Sequence, residues 1–188
     1  MTTRSTYSSA LSPEYALLGF LAQQPAHGYD LHLRLVSELG QVWHASQSQV
    51  YNILSRLERQ GFVAATLQEQ DKLPARRCFQ LTQAGQQRFE QWLRTTAGCS
   101  VRAIRVEFTT RLYFASLLDP TLARQLIERQ TEETQDGLER LRHALAELPP
   151  DQIFNRLGLE LRIRQITSII DWLATCRESL GLNRASTR

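Results

Sequence analysis

Three amphipathic segments at helical spacing, two short β-type runs directly behind them and a helical pattern beyond residue 100 predict a mainly α protein. That order of elements predicts an N-terminal winged helix-turn-helix joined to an all-helical C-terminal domain.

The first helix starts at Ser12, with Pro13 at the first helical position and Glu14 in the first turn, where a carboxylate opposes the positive end of the helix dipole. Leu17, Leu18, Phe20 and Leu21 form its apolar face, and QQPAHG ends it. GYDLHLRLVSEL follows as a second helix with Leu31, Leu35 and Leu39 on one stripe, closed by Gly40. SQSQVYNILSRLERQGFV, residues 46–63, is the third, its inward side marked by Val50, Ile53, Leu54 and Leu57. Ser46 and Gln49 have the spacing of a capping box, in which each side chain satisfies a free amide at the helix start. FVAATLQ and RRCFQLT have strand composition. The polar linker EQDKLPA, with Pro74, makes them a hairpin with a long tip. Thr82 caps a fourth helix carrying Phe89, Trp92 and Leu93.

Beyond TTAGCS the pattern is entirely helical. Residues 100–118 carry Val101, Ile104, Phe108, Leu112 and Ala115 at helical spacing. Asp119-Pro120 is a start signal, and Leu138, Leu141, Leu145 and Leu148 follow in the alternating steps of a coiled-coil seam, weakened by Gly137. After Pro149-Pro150 a last helix carries Phe154, Leu157, Leu161, Ile166, Ile169, Leu173, Cys176 and Leu180 on its main stripe, with Leu159, Ile163, Ile170 and Trp172 off it. A helix apolar on more than one side must bury more than one side, so a second copy of the chain is the expected partner. The alternative is packing on the N-terminal domain. The expected domains are a flexible arm at 1–11, in which Arg4 and Tyr7 could touch a partner, the winged domain at 12–97, a helical dimerisation domain at 98–181 and a flexible tail at 182–188.

A hydrophobic fraction of 42% with 22% charged residues is a globular composition. The 22 basic residues against 19 acidic ones permit a nucleic-acid partner without demanding one. Cys78, Cys99 and Cys176 are odd in number and form no CxxC or Cys/His cluster, so neither a disulfide framework nor a structural metal is expected, and each thiol reads as a small buried hydrophobe. His27, His32, His44 and His143 have no ligand spacing; His27 caps or packs at the turn before Gly28. The N-terminus MTTRSTYSSALS lacks the apolar core of a signal peptide, and no apolar run reaches the ~20 residues of a membrane span. A soluble, cytoplasmic protein with no membrane partner is expected. No Gly-rich phosphate loop, paired-carboxylate constellation or nucleophile motif is present, so neither an enzyme nor a cofactor is expected.

The front of the third helix points to a function. Gln47, Ser48, Gln49 and Asn52 put amides and a hydroxyl, groups that both donate and accept, on its first turns. The DNA major groove admits an α-helix and displays paired donors and acceptors, and the N-terminal turn of a recognition helix lies nearest them. Arg56 and Arg59 lie where such a helix meets phosphate, and Tyr51 can place a hydroxyl there. Lys72, Arg76 and Arg77 make a basic wing whose contacts would release counterions. Polar residues at a helix start also serve simply to cap and solvate. The competing function is therefore a protein-interaction module without sequence-specific DNA binding, which would lack a steep salt dependence on duplex DNA.

HGYDL at 27–31, VYNILSRLERQGFV at 50–63 and ARRCFQLTQAG at 75–85 resemble the PadR family of bacterial transcriptional regulators. The resemblance spans residues 13–95, and the helical remainder is similar to the extended dimerisation domain of longer members. It implies a homodimeric, ligand-responsive repressor that binds an inverted repeat in double-stranded DNA. Tyr51 then matches the tyrosine expected at the DNA backbone, and Arg76 and Arg77 match the basic wing. Phe79 stands where the family has tyrosine, and Asp71-Lys72 where the wing tip has glycine; both departures bear on the wing contacts rather than on the fold. Members often sense small aromatic or lipophilic molecules, which makes Trp43, Trp92, Phe108, Tyr113 and Trp172 candidate pocket residues, the alternative being that they are plain core.

Overall fold

Helix α1 (Glu14–Gln23) is buried on every side rather than on one face, with Ala16, Leu17, Leu18 and Phe20 wholly enclosed. A helix apolar all round belongs at the centre of its unit. In this computed structural model, which describes residues 12–70 and 73–182 and the side chains outside 69–75, α1 touches α2 (Gly28–Leu39), α3 (Gln47–Arg59) and β3 (Leu73–Leu81). The arm at 1–11 with Arg4 and Tyr7, the Asp71-Lys72 pair and the last six residues lie outside the described residues. The chain divides into two compact units between Trp92 and Leu93, inside α4 (Gln83–Leu93).

The start of α1 differs from the sequence reading in a way that organises the first unit. Pro13, not Ser12, precedes the helix, and its carbonyl accepts the Leu17 N–H at 3.1 Å. Glu14 stands in the first turn as the sequence predicts, and it is also buried. Its side chain is 7% exposed and holds Arg56 of α3 at 2.7 Å with one oxygen and Arg88 of α4 at 2.5 Å with the other. Arg88 also lies over the rings of Tyr15, at 5.2 Å, and Phe62, at 4.4 Å. A carboxylate withdrawn from water without partners would cost several kcal/mol; two guanidiniums offset that, and each ties a different helix to α1.

The sheet has three antiparallel strands in the order β1 (Ala26–His27), β3, β2 (Val63–Gln70). Two residues are too few to show alternation, so β1 left no mark in the sequence; it pairs Ala26 with Phe79 and His27 with Cys78. The hairpin tip is shorter than the polar linker suggested, because β2 reaches Gln70 and β3 begins at Leu73, with an irregularity between Gln68 and Gln70. Ladder hydrogen bonds continue through a polar stretch because they need only the backbone. Gly61 turns α3 into β2 at φ 77°, the left-handed region, and the Phe62 N–H reaches the Leu57 carbonyl at 2.9 Å. The Thr82 hydroxyl donates to the Gly61 carbonyl at 2.7 Å and accepts the Gly85 N–H at 3.1 Å, so one side chain caps α4 and closes this turn.

In the second unit the predicted 100–118 helix is α5 (Val101–Ala103), a π turn (Ile104–Phe108) and α6 (Thr109–Leu118), with Ser100 capping at its start. Asp119 caps α7 (Pro120–Ala146) by accepting the Thr121 N–H at 2.8 Å. Ala123, Leu126, Ile127, Gln130, Thr134, Gly137 and Leu138 form its buried stripe. Gln130, fully buried, accepts the Ala97 N–H at 2.8 Å and donates to the Ala97 carbonyl at 3.1 Å, as a strand neighbour would. In α8 (Ile153–Ser179) only Ile166 and Leu173 are buried, whereas Phe154 is 86% exposed and Ile153, Leu157 and Leu161 are each 57% exposed. The first half of the stripe read from the sequence thus faces solvent within one chain. Leu182, read as the first tail residue, is buried, and its carbonyl accepts from Arg124 Nε at 3.2 Å. No helix among the described residues is long and apolar enough to cross a membrane.

Glu14→Gln should lower the unfolding free energy by about 2 kcal/mol in urea titration, below the full value for a buried pair because Arg56 is 42% exposed. Glu58→Gln, which breaks a surface pair with Arg77, should change it by less than about 1 kcal/mol.

Candidate nucleic-acid interface

Helix α3 divides its faces sharply. Val50, Leu54 and Leu57 are fully enclosed at the back, while Gln47, Ser48, Gln49 and Asn52 are exposed at the front. The capping box expected from the sequence is present: Ser46 Oγ accepts the Gln49 N–H at 3.3 Å, and Gln49 Oε1 accepts the Ser46 N–H at 2.8 Å. This bond commits one acceptor of Gln49 and leaves its NH2 group available. His32 donates from Nε2 to the Ala45 carbonyl at 3.1 Å, fixing the segment that leads into Ser46 from α2.

A cleft of about 480 Å³ opens between the head of α3, the β1–α2 junction and the wing strand β3. Gln47 and Tyr51 line it from α3, Arg76 and Arg77 from β3, and His27, Tyr29 and Asp30 from the junction. Tyr51 is 37% exposed and Tyr29 50%, so each ring rests on the unit while its hydroxyl can meet solvent. His27 Nδ1 lies 3.1 Å from the Arg77 carbonyl; an acceptor there requires the proton on Nδ1 and leaves Nε2 for a second partner.

The two wing arginines are not equivalent. Arg77 contacts both oxygens of Glu58, at 2.6 and 2.5 Å, and lies 5.1 Å over the Phe79 ring. Arg76 is exposed and has no acidic group within 4.0 Å among the described side chains. Among these side chains nothing competes with an anion for its charge. Arg56 is held by Glu14 and also donates to Ser12 Oγ at 3.4 Å; exposed Arg59 reaches back to the Ser55 carbonyl of its own helix at 3.4 Å. Lys72 lies outside the described residues.

Residues 17–91 match the family model described as "Transcriptional regulator PadR-like family", and residues 104–181 match "Virulence activator alpha C-term". "Negative transcriptional regulator PadR" of Bacillus subtilis (strain 168) is 30% identical over 135 residues, covering 72% of this chain and 74% of that protein. The chain belongs to the PadR-like family of transcriptional regulators. "Probable transcriptional regulator Rv1176c" of Mycobacterium tuberculosis is 26% identical over 185 residues, 90% of this chain and 98% of its own length. The crystal structure of Bacillus subtilis PadR in complex with operator DNA is 27% identical, covers 89% of this chain and 98% of that one, and has a TM-score of 0.45.

Within this family member Phe79, the departure from tyrosine, is wholly buried, so the ring serves the core and its missing hydroxyl leaves no gap in the cleft. The aromatic candidates for a pocket fall in both units. Trp43 and Trp92 belong to the first, where Trp92 stacks on Tyr15 with centroids 4.4 Å apart. Phe108, Tyr113 and Trp172 belong to the second, where Phe108 meets Trp172 edge-on at 6.0 Å. Cys78 is buried, Cys99 and Cys176 half-buried. Burial pushes the Cys99 thiol up against the pull of Arg140, and it raises Cys176 to about 11, so both stay protonated at neutral pH and are poor nucleophiles. Sequence reasoning did not single out Tyr29 and Asp30 as site residues. Their motif, HGYDL, was visible, but its approach to the wing depends on the unforeseen strand β1.

Ser46→Ala should destabilise the protein by about 1 kcal/mol by removing the cap of α3, and Ser46→Asp should retain most of that stability, both read from thermal denaturation.

Proposed function

We propose that this chain is a homodimeric, sequence-specific DNA-binding repressor, with residues 12–97 on an inverted-repeat operator and residues 98–181 forming the dimer. The observation that carries it is the exposed front of α3, with Gln47, Ser48, Gln49 and Asn52, whose first residue shares a cleft with Tyr51 and with the wing guanidinium of Arg76, which has no acidic partner among the described side chains, in a member of a regulator family. The amides suit base edges, and the phenol and guanidinium suit phosphates. Arg56 and Arg77, each engaged with a carboxylate, contribute by holding α3 and the wing in place. Repression is supported by the name of the relative that is 30% identical. Dimerisation is supported by the solvent-facing stripe of Ile153, Phe154, Leu157 and Leu161, because contiguous apolar surface of this kind marks an association face. A small aromatic or lipophilic effector, held beside Phe108, Tyr113 and Trp172 in the second unit, completes the reading, as does a cytoplasmic location.

Selection of bound sequences from random duplex DNA with the purified chain tests the reading directly. A palindrome with half-sites about one helical turn apart is expected, since half-site spacing mirrors dimer geometry; recovery of no motif overturns it. Asn52→Ala should weaken the selected site by ~1–3 kcal/mol while leaving random DNA nearly unaffected, and Arg76→Ala should weaken both and flatten the salt slope by about 1. Leu157→Asp should shift the sedimentation coefficient to that of a single chain; an unchanged dimer would place the association face elsewhere.

A further inference from the structure

We propose that Gly28 is a positioning residue: by carrying no side chain it seats the Tyr51 ring across the β1–α2 junction and presents the phenol hydroxyl in the cleft to a DNA phosphodiester. Gly28 is buried at the first position of α2, and Tyr51 fills the space its missing side chain leaves. A methyl group at Gly28 would lie 2.7 Å from Cε1, 2.8 Å from Cζ and 3.1 Å from the hydroxyl oxygen of Tyr51, well inside contact distance. Those three atoms are its nearest neighbours, and all belong to the far edge of one side chain. The junction is tied down, and the ring edge is the more readily displaced partner. The His27–Cys78 bridge pair and the bond from His27 Nδ1 to the Arg77 carbonyl hold it to the wing strand. An added methyl must therefore swing the ring and move its hydroxyl.

The ligand class follows from what surrounds that hydroxyl. Arg76 lines the same cleft with a guanidinium free of acidic partners among the described side chains, whereas Arg77 is neutralised by Glu58. A neutral donor in the same cleft as a cation with no acidic partner among the described side chains suits a singly charged phosphodiester. The backbone of Gly28 is not in the left-handed region, so its conformation does not itself require glycine, and alanine is the better helix former. Glycine at the head of α2 is thus unfavourable for the helix and is accounted for by the ring it admits.

The inference rests on the DNA-binding reading above, and the test separates the two. Wild type, Gly28→Ala, Tyr51→Phe and the double variant are titrated on a random-sequence DNA duplex by fluorescence anisotropy across a salt series. Gly28→Ala and Tyr51→Phe should each weaken binding roughly tenfold, the size of one hydrogen bond to a charged group, with the salt slope unchanged because a neutral hydroxyl displaces no counterion. The double variant should bind like Tyr51→Phe, since the clash persists but no hydroxyl remains to misplace. Wild-type affinity in Gly28→Ala, or losses that add in the double variant, would overturn the positioning role while leaving DNA binding intact. A wild-type chain that ignores duplex DNA would remove both. If Gly28→Ala lowers the melting temperature, Tyr51→Ala in that background should restore it, because the methyl meets the ring first; failure to restore it would also overturn the role.

Discussion

The first unit depends on one buried carboxylate. Glu14 stands at the first turn of the most enclosed helix, and each of its oxygens holds a guanidinium from a different helix, Arg56 of α3 and Arg88 of α4. Apolar packing alone sets how deep α1 lies, but it is non-directional and tolerates sliding. A carboxylate bonded on both oxygens is directional, and losing either partner leaves charge poorly compensated in a region that water reaches only in part. The Arg56 contact on α3 adds to the packing of Val50, Leu54 and Leu57, and together they leave Gln47, Ser48, Gln49 and Asn52 facing outward.

On α3 the same economy is visible at the scale of single side chains. The back is apolar, the first turn is closed by Ser46 and Gln49, and the residues left over carry hydrogen-bonding groups toward solvent. Structural need and the proposed base contacts meet in Gln49, whose carbonyl serves the cap while its amide hydrogens do not. The wing divides its work similarly: Arg77 is braced by Glu58 and Phe79, and Arg76 is not. A pair of adjacent arginines that looks uniform as text is one brace and one charge with no acidic partner among the described side chains.

The second unit is held by polar bonds where apolar ones would be ambiguous. Gln130 treats Ala97 as a strand partner, and Arg129 bonds the Arg94 carbonyl at 3.1 Å, so α7 fixes the register of the segment that leads into it. Beyond that, α8 leaves Ile153, Phe154, Leu157 and Leu161 mostly uncovered within one chain, which is why a second copy belongs to the proposed function.

Periodicity and capping chemistry are local, and much of them was legible, although the start of α1 and the π turn at Ile104–Phe108 were not. The capping box at Ser46, the Thr82 cap, the Asp119-Pro120 start and the inward stripe of α3 each depend on residues within about two turns of one another. The winged order of elements followed from them, and so did the polar front of α3. What the chain alone could not display is any pairing between distant residues. The strand at Ala26–His27, the union of Glu14 with Arg56 and Arg88, the bracing of Arg77 and the seat that Gly28 makes for Tyr51 join positions far apart in sequence. A carboxylate near a helix start reads the same whether it faces water or two guanidiniums. Only tertiary contact decides which, because burial and partner distance are properties of the folded chain and not of any one segment.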